Sequence, residues 1–143
     1  MKKFRKTKIN EANILKFYQS AVKKFSSAKK IIRLDEEAAY NLLYESMLKA
    51  SLSLLLSYGV RPRSLPGHHK NIIEFSENKL GKKYSSLINI FDRMRRKRNK
   101  MLYTVDINVS KTDTKRVLKS TEEYLKIIRL HINRNNKQLN LKI

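Results

Sequence analysis

The segment that decides the fold is DEEAAYNLLYESMLKASLSLLLSY, residues 35–58. It opens with Asp35, Glu36 and Glu37, a carboxylate cap followed by acids in the first helical turn, where the helix dipole favours negative charge. Its apolar side chains then cover almost the whole circumference of a helix: Leu42, Leu43, Met47, Leu48, Leu52, Leu54, Leu55 and Leu56. A helix that is apolar on all sides needs neighbours on all sides, so this segment predicts the central helix of a bundle.

Helical patterns continue on both sides of this segment. Asn10 is a predicted N-cap, and the first helix after it has apolar residues at spacings of three, four and seven: Leu15, Tyr18, Val22, Phe25 and Ile32. A short third helix over about 67–79 and a fourth over about 84–103 follow loops rich in Gly and Pro. Ser110 and Asp113 have capping-box spacing ahead of a fifth helix. The pattern predicts an all-α, single up-and-down bundle of about five helices, with no competing strand pattern.

Three segments of different character follow from these patterns. Residues 1–8 form a basic N-terminal arm, residues 9–134 form the bundle, and residues 135–143 form a polar, basic C-terminal tail. The loop between the last two helices is predicted to run through Asp106 and Asn108. We expect the tail to fray, because few of its residues are apolar.

Basic residues dominate the composition, with 33 Lys and Arg against 12 Asp and Glu and a formal net charge of +21. Charge of this size concentrates polyanions near the surface, so nucleic acid is the first partner to consider. The alternative is a general lysine bias spread over every surface. The distribution argues against it in part, because Glu11 is the only acid before Asp35 and none follows Glu123.

Several classes of protein are excluded. The chain has no cysteine, which removes disulfides, thiolate metal ligands and cysteine nucleophiles. No apolar run approaches the roughly 18 residues of a membrane span, and the first residues lead into no signal-peptide core. We expect a soluble, cytoplasmic protein without membrane contact, metal or cofactor.

The most informative stretch is FDRMRRKRNKMLY, residues 91–103, in the fourth predicted helix. At 100° per residue, Arg95 and Arg98 fall on the apolar face, while the other basic residues project to the opposite face. Those outward residues are Arg93, Arg96, Lys97 and Lys100. An unpaired buried guanidinium is costly, so Arg95 and Arg98 each need a carboxylate, a carbonyl or an opening to solvent.

Two interpretations are open for Arg95: an internal ion pair, for example with Glu45, or a place in a binding site. For Arg98 a binding site is favoured, because Asn99 and Tyr103 lie beside it at one-turn spacing. A guanidinium fork, an amide and a phenol can hold a phosphate together. The outward basic patch is either an ordinary solvated face or an electrostatic approach to this site.

The segment from Arg98 to Tyr103 (RNKMLY), late in one helix and ahead of a long final helix, resembles the signature of HEPN domains. Residues 58–62 (YGVRP) and 67–69 (GHH) resemble the loop and third-helix start of one HEPN branch. The resemblance covers the chain from about residue 9 to residue 133. It implies a bundle that often forms homodimers, with the helix-four motif near the dimer seam. Many members are metal-independent ribonucleases, either toxins paired with a minimal nucleotidyltransferase or parts of RNA-targeting defence systems.

The chain departs from the family motif at one position. The motif has a polar residue directly after the Arg and a His five positions after it; Arg98 and Asn99 match, but Tyr103 stands in the place of the His. A phenol with a pKa near 10 is a poor general base at neutral pH. Val105 occupies the position of a tyrosine that is modified in some toxins of the family, so the resemblance does not imply that modification here.

His68 and His69 follow Pro66-Gly67 at a predicted helix start, where free amide groups favour anions and lower the pKa of histidine. Either the pair supplies one capping imidazole and one exposed ring, or one of them reaches the Arg98 site. Two histidines without a further His or Cys ligand are weak grounds for a metal site. His131, in the fifth helix, is predicted to be a surface or boundary residue.

Three hypotheses about function remain open. The first is a non-catalytic module that binds RNA or a nucleotide-bearing partner, or that serves as the substrate-binding partner of a nucleotidyltransferase. The second is a ribonuclease, in which Arg98 stabilises the pentacovalent phosphate, Asn99 positions it, and Tyr103, His68 or His69 transfers protons. The third is a structural homodimer with Arg98 at its seam and a charged surface for acidic partners.

Overall fold

The computed structural model describes residues 3–105 and 108–142. Within these ranges the chain forms five α-helices, one 3-10 turn (Lys82–Tyr84) and one two-stranded sheet. The elements in chain order are β1 (Phe4–Lys6), α1 (Glu11–Ile31), α2 (Glu36–Ser57), β2 (Val60–Pro62), α3 (His68–Leu80), α4 (Ser85–Tyr103) and α5 (Lys111–Asn135). The prediction of an all-α bundle is confirmed. None of the helices within the described ranges is long and apolar enough to cross a membrane.

Helix α2 lies at the centre of the bundle, as its sequence predicts. It packs against each of the other four helices, and Leu43, Met47 and Leu54 are completely buried. Its buried serines are also satisfied, since Ser46 Oγ donates a hydrogen bond to the carbonyl of Ala21 at 2.7 Å. A hydroxyl that is bonded to a backbone carbonyl carries little penalty in the core, which allows this helix to be both serine-rich and central.

Side-chain caps start three of the helices at the predicted residues. Asn10 accepts a hydrogen bond from the amide of Asn13, Asp35 from that of Ala38, and Ser110 from that of Asp113. Each cap satisfies one of the amide groups that the first helical turn leaves free.

The strands are a difference from the sequence prediction, which assigned residues 1–8 to an arm and the stretch after α2 to a loop. β1 and β2 are antiparallel, with Arg5 opposite Arg61. Phe4 is buried in a small apolar cluster with Leu55, Val60 and Ile72. Three-residue strands are too short to show a period-two pattern, and the pairing depends on residues far apart in the sequence.

The C-terminal tail also differs from expectation. Leu139 and Leu141 are buried, and Asn133 forms two hydrogen bonds with the backbone of Leu141. The expectation that the tail frays was therefore wrong for this part, because two leucines among polar residues are enough to return the chain to the core. The predicted arm, loop and tail also include residues 1, 2, 106, 107 and 143, which lie outside the described residues.

Candidate nucleic-acid interface on helix α4

Helix α4 presents one apolar face and two basic surfaces. Leu87, Ile88, Phe91 and Met94 are buried against the bundle. Near α3, the side chains of Tyr44, His68, His69, Arg95 and Arg98 form a group that we call the Arg98 cluster. Near α5, a second group lines an open cavity that we call the α4–α5 cleft. The sequence predicted basic residues on two faces of this helix, and the structure shows what each face meets.

Arg95 forms an ion pair within its own helix. Its Nε donates to Oδ1 of Asp92 at 2.9 Å, while Nε of Arg96 lies 3.3 Å from the other carboxylate oxygen. Of the two interpretations of Arg95, the structure shows the ion pair. The suggested partner Glu45 was wrong, because the carboxylate belongs to Asp92. A carboxylate one turn earlier reaches the guanidinium directly, with no need to cross between helices.

Arg98 packs against a buried phenol. The central carbon of its guanidinium lies 5.4 Å from the centroid of the Tyr44 ring, within the range of a cation–π contact. The ring of Tyr44 is also packed against Phe91, and its hydroxyl lies 3.0 Å from Nδ1 of His69. Helices α2, α3 and α4 thus each contribute one side chain to the contact, so that Arg98 and His69 lie around the same phenol.

The cluster is arranged to keep His69 uncharged. Burial, together with the neighbouring His68, Arg98 and Arg95, lowers the pKa of His69 to about 4. Burial raises the pKa of the Tyr44 hydroxyl above its usual value near 10, more than Arg98 lowers it. At neutral pH both groups are therefore neutral, and the protonated phenol can donate to Nδ1. With the phenol as the donor, the imidazole proton of His69 is on Nε2.

His68 has the opposite tautomer. Its Nδ1 lies 3.1 Å from the carbonyl oxygen of Leu65, which can only accept, so Nδ1 carries a proton and Nε2 is the nitrogen that can accept. The two imidazole rings are 4.5 Å apart between centroids. The two adjacent rings therefore offer one donor nitrogen and one acceptor nitrogen at the start of α3.

The other predicted members of the Arg98 site are not joined to it. Asn99 is exposed, and Tyr103 is 85% exposed. Among the described residues, no hydrogen bond links Arg98 to either side chain. The structure brings Arg98 together with the two histidines, and it leaves the amide and the phenol in solvent.

The α4–α5 cleft has a volume of about 560 Å³, and basic side chains outnumber acidic ones in its lining. Its basic residues are Arg93, Arg96, Lys97, Lys100 and Arg116. Asp113 is the one acid that lines it in the described part of the chain, and its carboxylate binds Lys97 at 2.9 Å. Tyr40 forms part of the wall, with Lys97 5.4 Å from its ring. All four outward basic residues predicted on α4 thus line one cavity.

Three residues of these surfaces, Tyr40, Tyr44 and Arg116, were not predicted from the sequence. Tyr40 and Tyr44 stand four residues apart in α2, and Arg116 follows Asp113 by almost one turn. Two phenols one turn apart in the most apolar helix were an available signal, because a buried hydroxyl needs a partner. Arg116 carries no comparable signal, since it is one of many basic residues on α5.

His131 lies at a boundary position, as predicted. It is half-buried, and its Nε2 lies 2.8 Å from the hydroxyl of Tyr58. Burial lowers its pKa, with further contributions from Arg134 and Lys79. It belongs to neither basic surface of α4.

In residues 3–105 and 108–142, no three His, Asp or Glu side chains form a group that could hold a metal ion. No protein-family model matches the sequence, and no curated protein matches it either.

Proposed function

We propose that this chain is an RNA-binding domain of the HEPN type, which holds RNA through the basic surfaces of α4. The observation that carries the proposal is the lining of the α4–α5 cleft, which has, among the described residues, five basic side chains and one carboxylate that is already bound to Lys97. A cavity of this composition carries a strong positive potential and has room for a nucleotide unit. It suits the phosphates of a single strand, which bind by releasing counterions.

The residues of the cleft divide into two groups. Lys97 and Arg96 have carboxylate partners, while Arg93, Lys100 and Arg116 are exposed and belong to none of the ion pairs of the described residues. The second group can exchange water for phosphate oxygens without breaking an internal contact. Two of its members are arginines, whose planar fork binds phosphate in a bidentate way.

The test compares two triple variants with equal changes of charge. In the first, Arg93, Lys100 and Arg116 are each replaced by Gln. In the control, Lys16, Lys23 and Lys30, which are exposed on α1 and line none of the cavities described, are replaced by Gln. Affinity for a labelled single-stranded RNA is measured by fluorescence anisotropy over a series of salt concentrations.

We expect the cleft variant to bind less tightly and to show a salt slope smaller by about 2, since each phosphate contact contributes roughly 0.7 for a single strand. The control should keep the slope of the native protein. Equal losses in both variants would mean that net charge, and not this cleft, attracts RNA.

The assignment to the HEPN type is supported by the position of the motif. Arg98 lies late in the fourth helix of the bundle and the longest helix follows, the arrangement that the resemblance implies.

The resemblance extends the proposal to a homodimer and to a nucleotidyltransferase partner. Leu102, Tyr103 and Val105 are exposed at the end of α4, where such a dimer would form. Light scattering of the native protein and of Leu102→Asp tests this part, since a dimer at this seam should dissociate in the variant.

A metal-independent ribonuclease is the second candidate, and the paired histidines favour it. In such a reaction a base takes the proton of the ribose 2′-hydroxyl, whose oxygen attacks phosphorus. The bond from phosphorus to the 5′-oxygen breaks, and an acid protonates that leaving oxygen, which leaves a 2′,3′-cyclic phosphate. Nε2 of His68 can accept the proton of the 2′-hydroxyl, and the same ring, once protonated, can return a proton to the 5′-oxygen. The N–H of the neutral His69 can donate a hydrogen bond to a phosphate oxygen, and Arg98 can stabilise the phosphorane charge. His68 thus supplies the proton transfer that Tyr103 performs poorly.

Incubation of labelled RNA in EDTA separates the two candidates. A ribonuclease should cleave, and His68→Gln and Arg98→Ala should each abolish cleavage while the circular dichroism spectrum stays helical. Retention of RNA without cleavage, lost at high salt, supports the binding domain alone. Unchanged cleavage in Arg98→Ala would remove this residue from the site.

A further inference from the structure

The two short strands bring four basic residues to one face of a ribbon. Arg5 lies directly opposite Arg61, and the amide of Arg63 donates to the carbonyl of Lys3 at 3.0 Å, which extends the same register by two residues. Opposed residues of an antiparallel pair project to the same face, and so do residues two apart along a strand. Lys3, Arg5, Arg61 and Arg63 therefore share one face, which we call the basic ribbon.

The opposite face of the ribbon explains why it forms at all. Phe4 and Val60 are buried there, and Phe4 packs against Phe75 of α3. Pro62, which has no amide hydrogen, stands opposite Phe4 between the hydrogen-bonded pairs, where a strand tolerates proline. Burial of the apolar face thus fixes the register, and that register aligns the like charges.

Like charges directly opposite each other destabilise a strand pair. The ion pairs of the described residues involve Asp92 and Asp113 only, so no carboxylate compensates the basic ribbon among them. Arg61 is half-buried, and its Nε is enclosed without a hydrogen-bond partner. The Arg61 side chain is therefore partly enclosed, in the strand position directly opposite Arg5.

Two adjacent clefts border this pair. One of about 240 Å³ has Arg5, Arg61 and Ser64 along an otherwise apolar wall that includes Phe17. The other, of about 350 Å³, is lined by Arg5, Arg63 and Ser64 with two apolar neighbours. In the described part of the chain, neither cleft has an acidic side chain in its lining. Volumes at or below the lower end of ordinary ligand sites, roughly 300–1,000 Å³, suit a small anion better than a large organic ligand.

We propose that the basic ribbon is a phosphate-binding site, in which Arg5, Arg61 and the hydroxyl of Ser64 hold one phosphate group. A tetrahedral phosphate has enough oxygens to bridge two guanidinium groups and accept from a hydroxyl, and its charge removes the repulsion between the opposed arginines. The phosphate comes from a small anion, from the terminal phosphate of a nucleotide, or from the backbone of RNA. This site is separate from the surfaces of α4, and the proposal does not depend on RNA binding there.

The test is an NMR titration of the full chain with inorganic phosphate at constant ionic strength, in which the Nε–H of Arg61 and the amide of Ser64 are followed. Both signals should shift and saturate, and Arg5→Gln should weaken the apparent affinity at least fivefold. The triple Gln variant of Arg93, Lys100 and Arg116 serves as the matched control and should retain the response. Absence of a saturable shift, or an equal affinity in Arg5→Gln, would overturn the proposal.

A second measurement distinguishes a phosphate-binding role of Arg5 and Arg61 from a purely structural role of this pair. Without phosphate, Arg5→Gln should raise the melting temperature, because it removes the like-charge repulsion. With phosphate, the native protein should gain more stability than Arg5→Gln, because only the native protein has the complete ribbon site. A structural role for Arg5 predicts a lower melting temperature in both buffers. Since Arg5 is exposed, this variant is expected to fold.

The source of the phosphate follows from two further probes. An RNA oligonucleotide with hydroxyl ends presents only diester phosphates, and the same oligonucleotide with a 5′-phosphate adds a monoester. Equal shifts of Arg61 with both indicate backbone binding, and shifts with the 5′-phosphorylated form alone indicate a terminal phosphate. Loss of RNA affinity in the α4–α5 variant with an unchanged response at Arg61 would separate this site from the proposed function.

Discussion

The hydroxyl of Tyr44 lies 3.0 Å from Nδ1 of His69, and this hydrogen bond connects the middle of α2 with the first turn of α3. The same phenol ring lies against the guanidinium of Arg98, so one buried tyrosine sets the positions of a histidine and an arginine from two other helices. His69 and Arg98 are 29 positions apart in the chain, yet they contribute to one cluster. The position of the Arg98 guanidinium on α4 therefore depends on how the Tyr44 ring of α2 is packed.

The lowered pKa of His69 predicts how stability depends on pH. Between about pH 6.5, the ordinary value, and about pH 4, the unfolded chain binds a proton at this residue and the folded chain does not. The free energy of unfolding should thus fall as the pH falls through this window, and this contribution is fully present above it. Histidine NMR signals measure the pKa directly. The Tyr44→Phe variant should keep the low pKa of His69, because burial is its main cause. If the His69 ring of the native protein titrated near pH 6.5, the prediction would be contradicted.

Asp113→Asn should change RNA affinity and stability in opposite directions. The carboxylate binds Lys97 inside the α4–α5 cleft, so its removal frees a basic group and should strengthen RNA binding two- to fivefold. Both side chains are partly exposed, and their ion pair stabilises the fold by about 0.2–1 kcal/mol. Anisotropy and urea unfolding measure the two effects. The matched control is Glu123→Gln, an exposed acid on α5 that lies outside the cleft lining and outside the ion pairs of the described residues. An equal gain in that variant would contradict a role specific to the cleft.

Leu141→Ala should destabilise the bundle, although it lies near the end of the chain. Leu141 is 1% exposed and its backbone is held by Asn133, so truncation leaves a cavity and should cost about 2–5 kcal/mol. Leu130→Ala, at a side chain that is 43% exposed, is the control and should cost much less. Urea unfolding compares them, and similar effects of the two substitutions would show that the tail is not docked in solution.

Gly59→Ala should be more damaging than Gly67→Ala. Both glycines have a positive φ, of 70° and 77°, which costs an alanine about 1–2 kcal/mol. A Cβ at Gly59 would also lie 3.2 Å from the carbonyl oxygen of Thr7, whereas one at Gly67 meets nothing within 4 Å. The amide of Thr7 donates to the carbonyl of Gly59, so the extra strain falls on the junction between β1 and β2. Thermal unfolding of both variants measures the difference, and equal losses would mean that the backbone conformation alone matters.

The sequence by itself determined the helices, their caps and the central place of α2. Helical periodicity, the caps at Asn10, Asp35 and Ser110, and the apolar circumference of residues 35–58 are local properties, because each depends on residues within one or two turns of each other. The two basic surfaces of α4 were predictable for the same reason.

Only the tertiary structure decided which groups meet. The pairing of Arg5 with Arg61, the contact of Arg98 with Tyr44 and His69, and the return of Leu141 to the core all join residues distant in the sequence. Their side chains carry no local signal of their partners, because burial of neighbouring apolar residues, such as Phe4 beside β2, sets the register that brings them together. The helices follow from short-range spacing, while the candidate sites follow from how those helices pack.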